Sequence, residues 1–565
     1  MRIHFSSLSV KKDENHHFHY PASVFYILFC VFSSVSCCGK NTTIKDGLIE
    51  VSTEQQLIDA VINAKPGTII EVADGDYRFD DAPLHINLKG NADFPIIVRA
   101  KHQGKTQFSG EYSMLLKDCS YVTVEGITLK NRALKHALSN VTGTETWIEA
   151  MRDELPYHGS LMVLNCDHCR LTRLSIQLEE QKGFTPKMIE DRLPRMHWIN
   201  LSGGKYNRID HCRMERKRNS GVYIEIGPLE QHFRIDRNHF AGRSPGNYNG
   251  FEIIRCNPGN LNNMYGLIEY NLFENCDGEG EIISVKSSYL RISHNTFRDC
   301  KGMLCIRMGS QVTVDYNFFL NPSGKEGVGG VRIHGNDNNI LNNYFGDLTG
   351  YGLMTFWGDY DKPDFTEQDT DFFRYNLSAE ANSYRRTCRA RIAFNTWANC
   401  SSFLHLGEFR KNELADMNLP PKDWTIMNNI VMCKDTQFVK GKGETGFRWF
   451  GNMFWNPEGK CNPGREFRES AVIIVDPQLV KTDDGLWHII KDSPAVDNMR
   501  GWYYPAEIIP DFKVDIDGQP RDLEVKVTEP QEQSEFKFDV GADEFSDAAL
   551  TNRPLTNKDV GPNVE

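Results

Sequence analysis

One pattern constrains this sequence more than any other: a short apolar stretch, a spacer, an asparagine, and an aromatic residue two positions later. It reads Phe233-Arg-Ile-Asp-Arg-Asn238-His-Phe240, then Leu267-Ile-Glu-Tyr-Asn271-Leu-Phe273 and Leu290-Arg-Ile-Ser-His-Asn295-Thr-Phe297. It returns as Val312-Thr-Val-Asp-Tyr-Asn317-Phe-Phe319 and Ile340-Leu-Asn-Asn343-Tyr-Phe345, with later copies centred on Asn395, Asn428 and Asn452. From Asn238 the asparagine steps are 33, 24, 22, 26, 52, 33 and 24. The basic step is therefore 22 to 26 residues; 33 reads as one rung with an insertion and 52 as two rungs. A unit this short cannot bury its own apolar face, so copies must stack into a solenoid. The 565 residues, enough for about four ordinary domains, then belong mostly to one elongated body.

Two solenoids share this period. Leucine-rich repeats also carry an L-x-L-x-x-N core, but they need a second Leu-periodic half. Here the intervening segments are β-branched runs broken by Gly and Asn, such as Glu281-Ile-Ile-Ser-Val-Lys286 and Gly330-Val-Arg-Ile-His334. Short alternating strands between turn residues predict an all-β fold, a right-handed parallel β-helix with several strands per rung. The repeated Asn belongs at a turn, where its side chain satisfies backbone groups and stacks on the next Asn. Thr53 is placed to N-cap a short helix over Glu54 to Ala64, with Leu57, Val61 and Ala64 on one face and Pro66-Gly67 ending it. Such a helix covers the open end of the solenoid and blocks edge pairing.

The chain ends read differently. Arg2, Lys11 and Lys12 precede the apolar run Val24–Val35, and Cys37-Cys38-Gly39 follows. Twelve apolar residues are too few to span a bilayer, which takes about 20 in a helix. The order basic, apolar, small instead predicts an export signal over residues 1–38, either lipoprotein type with Cys37 or Cys38 lipidated, or an ordinary cleaved leader. The expected location is the periplasm, the outer membrane through that anchor, or the medium. Residues 39–475 are assigned to the β-helix, 476–545 to its closing segment, and the polar tail 546–565 to disorder. Of 15 cysteines three lie in the leader; Cys276, Cys300 and Cys400 share one repeat position, as small buried residues of a stacked core do.

The net charge, 64 basic against 76 acidic residues for −12, argues against a general nucleic-acid binder. It says nothing about one cleft, and four features in mid-solenoid stand out. Gly278-Glu279-Gly280-Glu281 places two carboxylates on one strand face, where a hard cation such as Ca²⁺ is the natural partner. Asn249, in Asn249-Gly250-Phe251-Glu252, lies about one enlarged rung earlier and would stack an amide oxygen over that pair. Lys286 and Arg307 are 21 residues apart, one rung, and Arg332 in Gly329-Gly-Val-Arg332-Ile-His334 follows 25 residues later. Cations on successive rungs suit a linear anionic polymer. Taken singly, each feature also has an ordinary explanation: a solvated acidic turn, a turn asparagine, or independent surface cations.

Together, Glu279-x-Glu281-Ile-Ile-x-x-Lys286 followed by Ile306-Arg307-Met308-Gly309 resembles the centre of polysaccharide lyase family 6, which contains alginate lyases and chondroitinase B. Similar stretches include Pro66-Gly-Thr-Ile-Ile70, Tyr206-Asn-Arg-Ile-Asp-His-Cys212, Asn249-Gly-Phe-Glu252, Gly329-Gly-Val-Arg-Ile333 and Asn342-Asn-Tyr-Phe345 with Leu348-Thr-Gly350, spanning roughly residues 48–460. The resemblance implies Ca²⁺ held by Asn249, Glu279 and Glu281, Lys286 as base and Arg307 as acid. It further implies Glu252, Arg255, Arg332 and His334 as contacts to an acidic polysaccharide, alginate or dermatan sulfate, in a monomer or dimer. β-Elimination at a uronate needs the C5 proton removed beside a neutralised carboxylate, and a base that is uncharged at working pH. Two departures from the family pattern bear on substrate identity: Met308 stands where a His is frequent, and Phe251 where alginate lyases commonly have Gly. A non-catalytic carbohydrate-binding β-helix would have no need of the Lys286/Arg307 pair. A β-helix glycoside hydrolase needs two carboxylates across the bond instead.

Overall fold

In the computed structural model, described residues are 44–45, 47–131, 159–178, 196–246, 250–257, 264–359, 384–411, 416–500, 512–521 and 538–564. The expected leader and Asn249 lie outside them, as do most of the insertions at 142–195 and 357–385. Among the described residues, no helix is long and apolar enough to cross a membrane.

Between Ile44 and Ile474 the chain winds through three long sheets of 15, 14 and 12 strands, parallel except for the first strand pair, visiting each sheet once per rung. This is the right-handed parallel β-helix that the repeat predicts. Strands stay in register from rung to rung; Arg234, Leu267, Arg291, Thr313, Asn339, Arg391 and Thr425 are successive partners in the first sheet. The only α-helix among the described residues, Glu54–Asn63, caps the N-terminal end. Thr53 Oγ1 accepts the Gln56 N–H at 3.2 Å, and Leu57, Ala60 and Val61 face the core.

Register between rungs is held by an asparagine ladder at the corner between the first and second sheets. Asn295 Oδ1 accepts from Asn271 N and Nδ2, both at 3.0 Å, while Asn295 Nδ2 donates to the carbonyls of Ile268 and Ser293 and to Asn317 Oδ1. The same pattern runs through Asn238, Asn271, Asn317, Asn343, Asn395, Asn429 and Asn452. The residue before each of these, including Arg237, Tyr270, His294, Tyr316, Asn342 and Phe394, has φ near +54°. Left-handed backbone at a non-Gly residue costs about 1–2 kcal/mol. The buried amide ladder offsets that cost, because it satisfies backbone groups that the corner would otherwise orphan. Beside it, Phe240, Phe273, Phe297, Phe319, Phe345 and Trp397 stack inside the core with centroids 4.6–4.8 Å apart. Cys276, Cys300 and Cys400 are buried, and Cys276 N lies 3.4 Å from Cys300 Sγ.

Three expectations change. Asn429, not Asn428, carries the ladder; Asn428 is the left-handed residue before it, and its side chain bonds the Arg500 backbone. The 52-residue step is one rung with a long insertion rather than two rungs, since Asn343 bonds Asn395 directly and Asn339 pairs with Arg391. The polar tail is ordered over 546–564. Leu555 N bonds Thr296 Oγ1 at 2.8 Å, Gly561 N bonds the Arg237 carbonyl at 2.9 Å, and Val560 is buried. Its backbone groups at Leu555, Gly561 and Pro562 bond the solenoid wall while most of its polar side chains stay exposed, which composition alone does not reveal.

Candidate active site

The site lies on the outward face of the third sheet, where Ile224–Ile226, Ile254–Cys256, Glu281–Val285, Gly302–Ile306 and Val328–Ile333 are successive strands. Inward positions are aliphatic: Ile254, Ile283, Leu304 and Val331 align, as do Cys256, Val285, Ile306 and Ile333. Alternation sends the residues between and after them outward. Arg255, Ser284, Cys305 and Arg332 form one outward column. Lys286, Arg307 and His334 each follow the last paired residue of their strands and form the next column, so Lys286 and Arg307 do sit on adjacent rungs. Arg332 is not in line with them; it belongs to the neighbouring column.

The strand carrying the acidic pair is irregular. Its register shifts between Glu281 and Ile283. Gly278 packs so tightly that a Cβ there would lie 2.1 Å from the Phe251 carbonyl oxygen. The bulge aims Glu279 and Glu281 toward Glu252, and carboxylate oxygens of all three lie within 4.8 Å of one another. Arginines surround this acidic group. Arg255 donates to both Glu252 oxygens at 2.6 Å, Arg332 bonds Glu281 Oε1, and Arg307 Nη1 lies 3.9 Å from Glu281 Oε1. Burial pushes the Glu281 carboxyl up, but Arg332 and Arg307 hold it below its ordinary value. Glu252 is likewise lowered by Arg255 against its burial. Glu281 Oε2 is buried and accepts no hydrogen bond. An all-oxygen donor set with a spare buried lone pair fits a hard divalent cation.

Lys286 is the group whose state matters most. Burial, then Arg255, then Arg307, lowers its pKa to about 8, against partial opposition from Glu252 and Glu281. A large part of the population is therefore uncharged in mildly basic solution. Arg307 keeps a partly open side chain and lies over the Tyr384 ring at 5.5 Å. Of the residues expected to touch polymer, Arg332 keeps 12% side-chain exposure and sits against Phe356 and Tyr384. Glu252, Arg255 and His334 are instead buried, at 3%, 7% and 0% exposure. Glu252 joins the acidic cluster with Arg255 as its counter-ion, and His334 packs beside Phe356 and Tyr384. None of the three presents open surface in this structure.

Several participants escape the sequence reading. Tyr384 follows the long insertion, and its neighbour Arg385 anchors the segment through Ser310 Oγ at 2.8 Å. Arg243 is buried behind the cluster, donating to the Gly250 and Asn219 carbonyls at 3.2 Å, with its guanidinium 4.8 Å from the Phe251 ring centre. Glu225 accepts from Asn257 Nδ2 at 2.6 Å and contacts His197 Nε2 at 2.6 Å, extending the polar network by one rung. For Arg243 and Glu225 the only signal is a polar residue inside a strand; Tyr384 and Arg385 lie outside the strands and carry no such signal.

The model of the family described as Chondroitinase B matches residues 51–444, most of the chain and the whole of this site. No curated protein matches the chain in sequence. Among solved structures, the chain is similar to the PL6 family alginate lyase AlyGC at 24% identity and TM-score 0.61, covering 79% of this chain and 55% of that one. The chain thus spans about half the length of that relative. A mannuronic acid specific family 6 lyase from human gut microbiota matches at 24% identity and TM-score 0.59, covering 72% of this chain and 86% of that one. Polysaccharide lyase Pedsa3628 from Pseudopedobacter saltans matches at 21% identity and TM-score 0.56, covering 91% and 98%. The three show the shared fold; the family match extends through the acidic bulge, Lys286 and Arg307, and with it the chain belongs to the chondroitinase B family, polysaccharide lyase family 6.

Proposed function

We propose that this protein is an exported lyase that cleaves a uronate-containing polysaccharide by β-elimination, with alginate as its substrate. The observation that carries the reading is Lys286, held near pKa 8 one rung from Arg307 and beside three converging carboxylates. In its neutral form Lys286 takes the C5 proton of the uronate through its Nζ lone pair. Arg307 stays charged and stabilises the departing O4 oxygen electrostatically, since a guanidinium hardly gives up its proton. Arg332 is placed to orient the polymer through an acidic group. Glu252, Glu279 and Glu281, with Asn249 as a further donor, would hold Ca²⁺. When bound, that ion supplies positive charge against the substrate carboxylate. Burial of Arg255 with Glu252 keeps the cluster close to electroneutral and so shapes the field at Lys286.

Alginate is supported by the solved alginate lyases that share the fold and by the Gly329-Gly-Val-Arg-Ile333 and Asn342–Gly350 stretches. The family model's own description favours dermatan sulfate as the second reading. Both substrates, offered separately, are followed by the ultraviolet absorbance of the unsaturated uronate product. Signal with alginate alone is expected, and signal with dermatan sulfate alone reverses the substrate assignment. Binding without signal from either makes the protein a carbohydrate-binding module. Full activity after exhaustive chelation would remove calcium from the scheme.

A further inference from the structure

Far along the chain, the closing segment gathers a second group of ligand-type side chains. The antiparallel pair Val480–Lys481 and Trp487–His488 brings in His488, the tight turn at Asp515–Gln519 brings in Asp517, and the Gly541–Glu544 stretch brings in Asp543. One ligand atom from each lies within 4.8 Å of the others. His488 Nδ1 is 3.3 Å from Asp517 Oδ2 and 3.3 Å from Asp543 Oδ2, its hydrogen-bond partner, an oxygen that also accepts from Ile489 N at 3.1 Å. The Nδ1 separation is long for a charge-assisted hydrogen bond, which runs about 2.7–2.9 Å. It equals the edge of a tetrahedron around zinc with bonds of about 2.0–2.1 Å.

Two further observations point to a ligand. Asp517 is 2% exposed, and its Oδ2, aimed at this point, accepts no hydrogen bond. A buried carboxylate oxygen left without a donor is costly unless a cation meets it. The far ring nitrogen, His488 Nε2, lies 3.0 Å from Asp484 Oδ2, and Asp484 is itself fixed by Thr482 Oγ1 and Leu486 N. A carboxylate on one imidazole nitrogen sets the tautomer that frees the other for a metal. Asp515, the nearest other carboxylate, is occupied: its oxygens accept from the backbone N–H groups of Asp517, Gln519 and Glu544.

We propose that His488, Asp517 and Asp543 form a binding site for a zinc-type divalent cation, with water completing a tetrahedron. The site fastens three separate stretches of the closing segment to one another. Those stretches in turn grip the solenoid: Trp487 N bonds Tyr344 Oη at 2.8 Å, Gly541 N bonds the Asn428 carbonyl at 3.0 Å, and Ala542 N bonds Thr396 Oγ1 at 2.9 Å. Its role is structural and separate from the acidic cluster on the third sheet.

The test uses the full chain without a polyhistidine tag. Titrated with Co²⁺, the wild type should develop the intense visible bands of tetrahedral cobalt with a nitrogen ligand. His488→Gln should lose these bands; bands that persist in that variant arise elsewhere, such as at Glu252, Glu279 and Glu281, and would overturn the assignment. After zinc loading and dialysis, elemental analysis should find about one zinc per chain in the wild type. Asp517→Asn and His488→Gln should each retain less than a tenth of that, and Asp484→Asn should bind about 10–100-fold more weakly. Zinc should raise the melting temperature of the wild type and leave Asp517→Asn unmoved. No tetrahedral spectrum in the wild type would overturn the proposal whatever the variants do. Equal zinc in all variants, or a melting temperature for Asp517→Asn above wild type with no response to zinc, would also overturn it.

Discussion

Two tracks of this solenoid, one buried at a corner and one on an outer face, follow opposite rules. At the corner between the first and second sheets, every rung repeats one chemistry: left-handed residue, ladder Asn, stacked aromatic. On the third sheet, the equivalent column changes at every rung, from Arg255 to Ser284, Cys305 and Arg332. Identical amides stack because each donates to the next, so repetition is self-consistent. Like charges cannot stack that way. The third sheet holds cations on neighbouring rungs because a bulge brings Glu279 and Glu281 together with Glu252 among them. Repetition marks what the fold needs, and its interruption marks chemistry.

The sharpest way to break this contrast is Lys286→Ala. Loss of the base should lower kcat by about 10²–10⁴-fold. The melting temperature should hold, since burial, Arg255 and Arg307 outweigh the pull of Glu252 and Glu281 on the ammonium and leave it no net favourable charge interaction; steady-state kinetics and a thermal melt check the pair of outcomes. Asn317→Ala should do the reverse. It orphans Asn295 N, at a cost of about 1–3 kcal/mol, and removes a side-chain donor from the Ile292 and Asp315 carbonyls. Denaturant unfolding should therefore show a clear drop in midpoint, and unchanged kinetics in the surviving folded fraction. Gly278→Ala sits between the two. Its Cβ meets the Phe251 carbonyl, so the bulge must shift, at a cost of about 1–3 kcal/mol. Activity should fall more than stability, because the displaced strand carries Glu279 and Glu281.

The smallest effect is in pH. Neutral Lys286 is the active form, so kcat/KM should rise through about pH 8 and level off above it. Burial and the charges of Arg255 and Arg307 disfavour ammonium, so Arg307→Gln should move the rising limb to higher pH as well as lower its plateau. A limb that stays in place would show that the field at Lys286 is set by burial and Arg255 alone.

Legibility followed the same division. The ladder and the Lys286–Arg307 step could be read because stacked positions recur at the rung length. Where the count absorbed an insertion it misled, as at the 52-residue step, and adjacent asparagines hid which one points inward. That Glu252, Arg255 and His334 are buried could not be read from the sequence, because burial depends on partners from other parts of the chain, such as Arg255 on Glu252 and Tyr384 beside His334. The tail over 546–564 looked unstructured for a related reason: its partners, Arg173, Arg237 and Thr296, lie hundreds of residues away.

By itself, the sequence determined a parallel β-helix and the rung spacing of its base and arginine, because stacking turns a period in the chain into a distance in space. Only the tertiary structure decided which carboxylates converge, which arginines neutralise them and what brings Lys286 near pKa 8. Those depend on burial and on charges from separate rungs, and both exist only once the chain has wound.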